Sequence, residues 1–312
     1  MIKSELKKKL IYIAGHNGMV GSAIYRDLQK EGYDNLLTIN HVDLDLKEEN
    51  KVDNFFKINK PNIVIMCAAK VGGIKANINN PVSFLLDNIK IQNNLISKSV
   101  EYGVEKLIFI ASSCIYPTNC EQPMEIKYLF NGRLEPTNEG YAIAKIAGIK
   151  LLEAYRKEYS FNSISVIPCN LYGPNDSFDP VNSHVLSGLV KKFYDSFKAN
   201  HKKVKIWGTG IARREFMHVY DFAKATRHIL ENETDFIINV GSSKEISINE
   251  LANLISQEVG YKGLIEWDES QPDGMLRKLM DNSELQKLGF KCEISLIQGI
   301  RQMIHEYSKL KG

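Results

Sequence analysis

The chain is poor in the residues that mark disulfide-stapled or metal-dependent proteins. Its 312 residues include five cysteines, Cys67, Cys114, Cys120, Cys169 and Cys292, an odd number with no CxxC pair. That spacing excludes a zinc knuckle or a dithiol redox motif, and points to reduced thiols, no metal and a cytoplasmic protein. No stretch reaches the roughly 18 apolar residues of a membrane span, and residues 1–9 carry lysines but no signal-peptide core. The Lys7 to Lys9 run reads as a solvated lead-in to the first strand. Neither sign of charge dominates, with 40 basic against 37 acidic residues and a formal net charge of +3, so no field draws the chain to nucleic acid or a membrane. An anionic ligand must therefore be held locally. Repeats and low-complexity blocks are also missing.

What is present is a regular rhythm. Short Ile- and Val-rich runs alternate with amphipathic segments, the pattern of βαβ units around a parallel sheet. Strands are expected at residues 9–14, 36–39, 62–68, 106–112 and 163–169, with helices at 19–31, 48–60, 82–102 and 139–159. The fold class expected is α/β, a Rossmann-type doubly wound parallel sheet whose ligands lie outside the strand C-termini. After Cys169 the rhythm breaks. A basic helix at 184–199, strands at 204–207, 236–240 and 264–267, and helices at 248–259 and 294–307 suggest a smaller C-terminal substrate-binding lobe. The division is residues 1–172 plus about 211–245 for the dinucleotide, and about 173–210 plus 246–312 for the substrate.

Gly15, Gly18 and Gly21 fall at GxxGxxG spacing between the first strand and first long helix. Such a turn lets backbone N–H groups and a helix N-terminus approach a pyrophosphate. At the end of the second strand, Thr38-Ile39-Asn40-His41 carries no carboxylate before Asp43. An acid there would bind the ribose hydroxyls of NAD, so its absence favours NADP. His41 or Lys70 is a candidate for the extra phosphate, and His41 reads equally well as an exposed residue without a role.

Tyr141 and Lys145, spaced i and i+4 at the start of an expected helix, share one face. An ammonium beside a phenol lowers its pKa and makes tyrosine usable in proton transfer. Ser112, at the end of the 106–112 strand, supplies a hydroxyl where open α/β sheets place active sites. Ser113 is the alternative serine. By their residue types alone, Cys114 reads as a buried strand-end thiol, His184 as a helix-start residue and Arg213-Arg214-Glu215 as a solvated charge cluster.

Several segments together carry a resemblance: Gly18-Met19-Val20-Gly21-Ser22, Ala68-Ala69-Lys70-Val71-Gly72-Gly73, Ser112-Ser113-Cys114-Ile115-Tyr116-Pro117, Tyr141-Ala142-Ile143-Ala144-Lys145, Asn170-Leu171-Tyr172-Gly173-Pro174, Asn182-Ser183-His184-Val185 and Arg214-Glu215-Phe216. Over nearly the whole chain these resemble the GDP-L-fucose synthase family of extended short-chain dehydrogenase/reductases. The resemblance implies an NADP(H)-dependent homodimer acting on a GDP-sugar: epimerisation of a 4-keto-6-deoxy hexose at C3 and C5, then reduction at C4. It implies that Ser112, Tyr141 and Lys145 serve hydride transfer, and that Cys114 and His184 serve epimerisation. It implies cofactor contacts at Gly15, Asn17, Gly18, Met19, Val20, Gly21, His41, Asp45, Leu46, Ala68, Ala69, Lys145, Asn170, Leu171 and His184. Substrate contacts fall at Lys192, Trp207 and Arg214, with Asp273 seating a ribose or base edge or else forming a plain turn.

Four positions depart from the family pattern. Asn17 and His41 stand where arginines are expected, which predicts a weakened preference for NADPH. Lys192 replaces an arginine and loses bidentate geometry toward diphosphate. Gly140 replaces a proline and loosens the start of the active-site helix. These departures keep a related substrate, a GDP-4-keto-6-deoxy heptose, as the alternative, its choice lying in the loop at residues 175–182.

Overall fold

The Ile- and Val-rich runs become a buried parallel sheet, because a strand covered on both faces has no polar side to present. The computed structural model describes residues 3–232 and 234–311. The strands run β1 (Ile11–Ala14), β2 (Leu36–Leu37), β3 (Ile63–Met66), β4 (Lys106–Ile110), β5 (Ser163–Pro168), β6 (Asn170–Tyr172), β7 (Lys203–Trp207), β8 (Arg213–His218), β9 (Ile237–Val240), β10 (Glu245–Ser247), β11 (Leu264–Asp268) and β12 (Arg277–Lys278). The main sheet has the order β2-β1-β3-β4-β5-β9, every pair parallel. All residues of β1, β3 and β5 are buried.

The helices are α1 (Lys3–Leu6), α2 (Met19–Lys30), α3 (Glu49–Asn59), α4 (Ile74–Asn79), α5 (Pro81–Glu101), α6 (Glu139–Tyr159), α7 (Val185–Lys198), α8 (Val219–Glu231), α9 (Ile248–Val259), α10 (Ser283–Lys287) and α11 (Leu296–Lys311). Helix α2 packs on α8, while α5 packs on both α3 and α6. Strand order reverses between β1 and β3, and this is where a doubly wound sheet opens its ligand crevice.

Two differences from the expected elements matter for the site. The 163–169 strand does not run on as one piece: β5 ends at Pro168, and β6 leaves the main sheet to pair in parallel with β8. Proline cannot donate to a ladder, so the break falls where pairing can change partners. Strand β8 and helix α8 lie outside the elements expected from hydrophobic pattern. Strand β8 is also flanked by β10 and β12, forming a small second sheet, and β7 pairs with β11 in a third.

Buried side chains gather in two clusters. One surrounds the main sheet and includes Met275, Met280, Leu285 and Phe290 from far down the chain. The other joins Tyr172 and Phe216 to α7, α9 and α11 through Val190, Phe193, Leu251, Ile255, Ile300 and Met303. No helix among the described residues is long and apolar enough to cross a membrane.

Candidate active site

The glycine turn closes at the reversal point. Gly15 has φ +86°, and a Cβ there would sit 2.7 Å from the Ala68 nitrogen at the end of β3. A Cβ on Gly21 would lie 2.2 Å from the Gly15 carbonyl oxygen. Only glycine permits both approaches. Gly18 begins α2 in an extended conformation, and no side chain caps the helix, so the amide groups of its first turn face the crevice unclaimed by a side chain. That cradle fits a dinucleotide pyrophosphate through backbone donors and the helix dipole.

Beyond the cradle, the Asn17 amide donates to Asn40 Oδ1 at 2.9 Å, tying the turn to the end of β2. His41 is exposed. Lys70, the other phosphate candidate, lies 3.5 Å from the Asp87 carboxylate. Asp45 accepts the Lys47 amide at 3.0 Å, and the Leu46 side chain is buried. Ala69 follows Ala68 beside the turn, while the Asn170 amide donates to the Glu215 carbonyl at 2.9 Å and Leu171 pairs with Met217.

At the end of β4 the chain makes one 3-10 turn, Ser113–Ile115, in which Ser112 Oγ accepts the Cys114 amide at 3.4 Å. This turn aligns the hydroxyl and the thiol. Tyr141 sits in the first turn of α6, hydrogen-bonded to Ser112, and its ring meets Phe84 edge-on at 6.4 Å. One turn on, Lys145 is 3 % exposed, donates to the Ile110 carbonyl at 2.8 Å, and sits 5.8 Å from the Tyr141 ring centre. Ser112, Cys114, Tyr141 and Lys145 are thus one cluster. Gly140, at the helix start, backs onto the Pro81 carbonyl, which a Cβ would approach to 3.3 Å.

Electrostatics departs from the expectation for the tyrosine. Burial pushes the Tyr141 phenol up rather than down, and the nearby Cys114 adds to this, while its hydrogen bond with Ser112 opposes the rise. Burial brings the Lys145 ammonium down to about 8. Burial also raises the Cys114 thiol, against which Lys278 is the leading stabilising charge, followed by the Ser112 hydrogen bond and Lys145.

Lys278 is a site residue that the sequence did not reveal. It stands in β12, in register with Arg214 of β8, and burial lowers its own pKa while the charge of Cys114 supports it. The segment carrying it is pinned by Glu215, fully buried, whose carboxylate accepts the Ser243 amide at 2.5 Å, the Met280 amide at 2.9 Å and the Asn282 side chain at 3.1 Å. A buried carboxylate persists only with such donors.

On the substrate side, Arg214 is half-buried, brought down to about 10 by burial with Asp273 and Glu135 opposing. It donates to the carbonyls of Arg213 at 2.9 Å and Asp273 at 3.1 Å. The carboxylate of Asp273 is occupied by Thr209, through its amide at 2.8 Å and its hydroxyl at 2.8 Å. Asp273 therefore shapes the 208–210 loop. Trp207 is 43 % exposed, and the Lys192 amine reaches the Lys205 carbonyl at 3.1 Å.

His184 begins α7 with its side chain 45 % exposed, Nδ1 lying 3.7 Å from Asp176 Oδ1. Its loop docks on the segment after β3, where the Gly73 amide donates to the Asn182 carbonyl at 3.2 Å. Phe84, the ring against Tyr141, abuts the same segment: a Cβ on Gly72 would lie 3.1 Å from it. No cluster of metal-ligating side chains occurs among the described residues.

The profile of the NAD dependent epimerase/dehydratase family matches residues 11–241. The chain belongs to that family. Within the NAD dependent epimerase/dehydratase family it is similar to GDP-L-fucose synthase 1 of Arabidopsis thaliana, 47% identical over 304 residues that cover 97% of this chain and 94% of the relative. It is likewise similar to GDP-L-fucose synthase of Escherichia coli K12, at 45% identity over 305 residues, covering 95% of each. A solved structure of a GDP-mannoheptose C4 reductase from Campylobacter jejuni with NADP bound superposes with TM-score 0.86 at 35% identity, covering 97% of this chain and 99% of that one.

Proposed function

We propose that this protein converts GDP-4-keto-6-deoxy-D-mannose to GDP-L-fucose, epimerising C3 and C5 and reducing C4 with NADPH. The observation that carries the reading is that Ser112, whose hydroxyl accepts the Cys114 backbone amide, meets both the Cys114 thiol and the Tyr141 phenol. A base for carbon and an acid for oxygen serve one ketone.

The C4 carbonyl acidifies the protons on C3 and C5. Cys114 thiolate removes one, leaving an enolate, and His184 returns a proton to the opposite face, which inverts the carbon. Burial keeps Cys114 a thiol in the free protein, so Lys278 and Ser112 are the groups that make its thiolate accessible. Ser112 then holds the C4 oxygen and Tyr141 gives it a proton. The raised phenol pKa suits this direction, because the ring carries its proton at neutral pH. Lys145 stabilises the tyrosinate left behind and is placed to hold the nicotinamide ribose. NADPH, when bound, supplies the hydride at C4. The 15–21 turn holds its pyrophosphate; Asn17 and His41 offer its 2′-phosphate no arginine.

Arg214 and Lys192 face the diphosphate and Trp207 the base. In this reading residues 1–172 and about 211–245 form the cofactor unit, joined by the 275–290 segment that packs with the same core. A homodimer is part of the reading, supported by Val82, Leu86 and Ile143, large apolar side chains exposed on the paired helices α5 and α6. A cytoplasmic enzyme follows from the free thiols.

A GDP-4-keto-6-deoxy heptose is the second substrate reading, supported by the fold match to the heptose C4 reductase. The higher identity to GDP-L-fucose synthases favours the hexose. The deciding experiment incubates the protein with NADPH and GDP-4-keto-6-deoxy-mannose and identifies the sugar formed. GDP-L-fucose is expected; an unepimerised 6-deoxy sugar, or no turnover of this hexose, would overturn the assignment.

A further inference from the structure

Asp176 has no part in the reaction as described, yet its side chain is only 4 % exposed. Its Oδ1 accepts the Ser177 amide at 2.8 Å, and its backbone amide donates to the Gly173 carbonyl at 3.1 Å. Oδ2 is buried with no hydrogen-bond partner. A carboxylate oxygen left in that state costs on the order of 1–3 kcal/mol, and a donor within reach removes the cost. The nearby donor is the His184 imidazole, whose Nδ1 lies 3.7 Å from Oδ1 of the same carboxylate, so a small turn of either side chain brings it to the unpartnered Oδ2.

The backbone around these residues is fixed, whereas the imidazole is not. Asp179 accepts the amides of Val181 and Asn182, each at 2.9 Å, and its carbonyl accepts the Ser183 amide at 2.8 Å. The His184 carbonyl accepts the Gly188 amide at 2.9 Å and the Ser187 hydroxyl at 3.1 Å. These bonds set where His184 begins α7 but leave its ring direction open. Among the described residues, the polar contact that bears on the ring is the one with Asp176.

The geometry points to Asp176 as the positioning residue for His184: it receives Nδ1–H, fixes the tautomer, and turns Nε2 toward the substrate as the proton donor. A histidine's reactive nitrogen is chosen by the bond that its other nitrogen makes. The protonated ring gives the proton on Nε2 to the enolate carbon and becomes neutral imidazole with Nδ1–H retained on Asp176. A gap of 3.7 Å in the free protein is of the kind that shortens when substrate closes the site.

The inference rests on His184 acting as the epimerisation acid, and its test separates the two. Protein labelled with 15N-histidine, with His184→Gln assigning the signal among seven histidines, is compared with Asp176→Asn by nitrogen shifts. The native protein is expected to show His184 as the Nδ1–H tautomer, and Asp176→Asn to move it toward Nε2–H. In parallel, solvent-deuterium entry at C3 and C5 is expected to fall about tenfold or more in Asp176→Asn, at unchanged KM and NADPH affinity. Asp176→Glu is expected to recover part of the loss. In a His184→Gln background, Asp176→Asn should cost nothing further. Unchanged tautomer and exchange in Asp176→Asn, or an equal cost in both backgrounds, overturns the proposal. Should Asp176→Asn not fold, the tautomer in native protein and the partial activity of Asp176→Glu decide it. A native protein that exchanges no deuterium refutes the functional reading instead, and leaves the tautomer measurement standing.

Discussion

Lys278 lies in register with Arg214 across the parallel β8–β12 pair, so two cations 64 positions apart in sequence arrive side by side. Lys278 answers to Cys114. Lys278→Met is therefore expected to slow deuterium incorporation at C3 and C5 by about tenfold for each unit by which the thiol pKa rises. NADPH affinity should not move. Equal deuterium rates in variant and native protein would show that the thiolate draws no support from this ammonium.

Tyr141→Phe removes only the transferable proton. NADPH oxidation is expected to fall by about 10²–10⁴-fold, the usual worth of a positioned general acid, while fluorescence titration with NADPH remains native. Deuterium exchange at C3 and C5 should persist, which distinguishes a lost acid from a collapsed site. Native turnover would remove the phenol from the mechanism.

Cys114→Ser should block that exchange, since a serine hydroxyl near its normal pKa is too weak a base to replace a thiolate. Hydride transfer does not use the thiol. The variant is expected to oxidise NADPH and yield a GDP-6-deoxy hexose with C3 and C5 unchanged, read by NMR of the product. Undiminished exchange at both carbons would return Cys114 to a purely structural role.

Asn17 spends its amide on Asn40. Asn17→Arg adds a cation to the turn, and a charge-assisted contact with the 2′-phosphate is worth on the order of 1.5–3 kcal/mol. The ratio of kcat/KM for NADPH over NADH should rise about tenfold or more. A ratio that does not change would mean that the arginine cannot reach the phosphate.

His218 caps α8 through Nδ1, which accepts the Tyr220 amide at 3.2 Å, and burial brings its pKa down to about 4. The neutral ring is the folded form. Stability should be level above about pH 6.5, where the unfolded histidine is neutral too, and fall between there and pH 4 as the unfolded chain alone takes up the proton. The full contribution is on the order of 3 kcal/mol. Urea unfolding at pH 7.5, 6 and 5 should show a steeper acid loss in native protein than in His218→Asn, and parallel slopes would contradict this.

The parts of the site visible in the sequence are those fixed within one turn or one helix. GxxGxxG needs only seven residues to declare a close backbone approach, and Tyr141 and Lys145 share a face by helical period alone. The direction of the tyrosine's pKa was not visible, because desolvation depends on Phe84 and the far strands packed around it. Lys278 and Asp176 carry no local signal either. One becomes a site residue through a two-residue strand, the other through a loop folded back on itself. Strand β8 escaped notice since its Glu215 is charged yet wholly buried, contrary to strand patterning. Helix α8 did have a readable period in Val219, Phe222, Ala223, Thr226, Ile229 and Leu230, but its cap is a histidine rather than the usual Ser, Thr, Asp or Asn.

Met275, Met280, Leu285 and Phe290 return from the C-terminal third to the core around the main sheet. The two halves of the protein are thus laced together rather than strung in tandem. A cut after β9 would strip the dinucleotide half of four core side chains, so neither half can be inherited, swapped or expressed as a cassette. Substrate range in such a scaffold has to change by substitution inside loops, with the whole chain carried along.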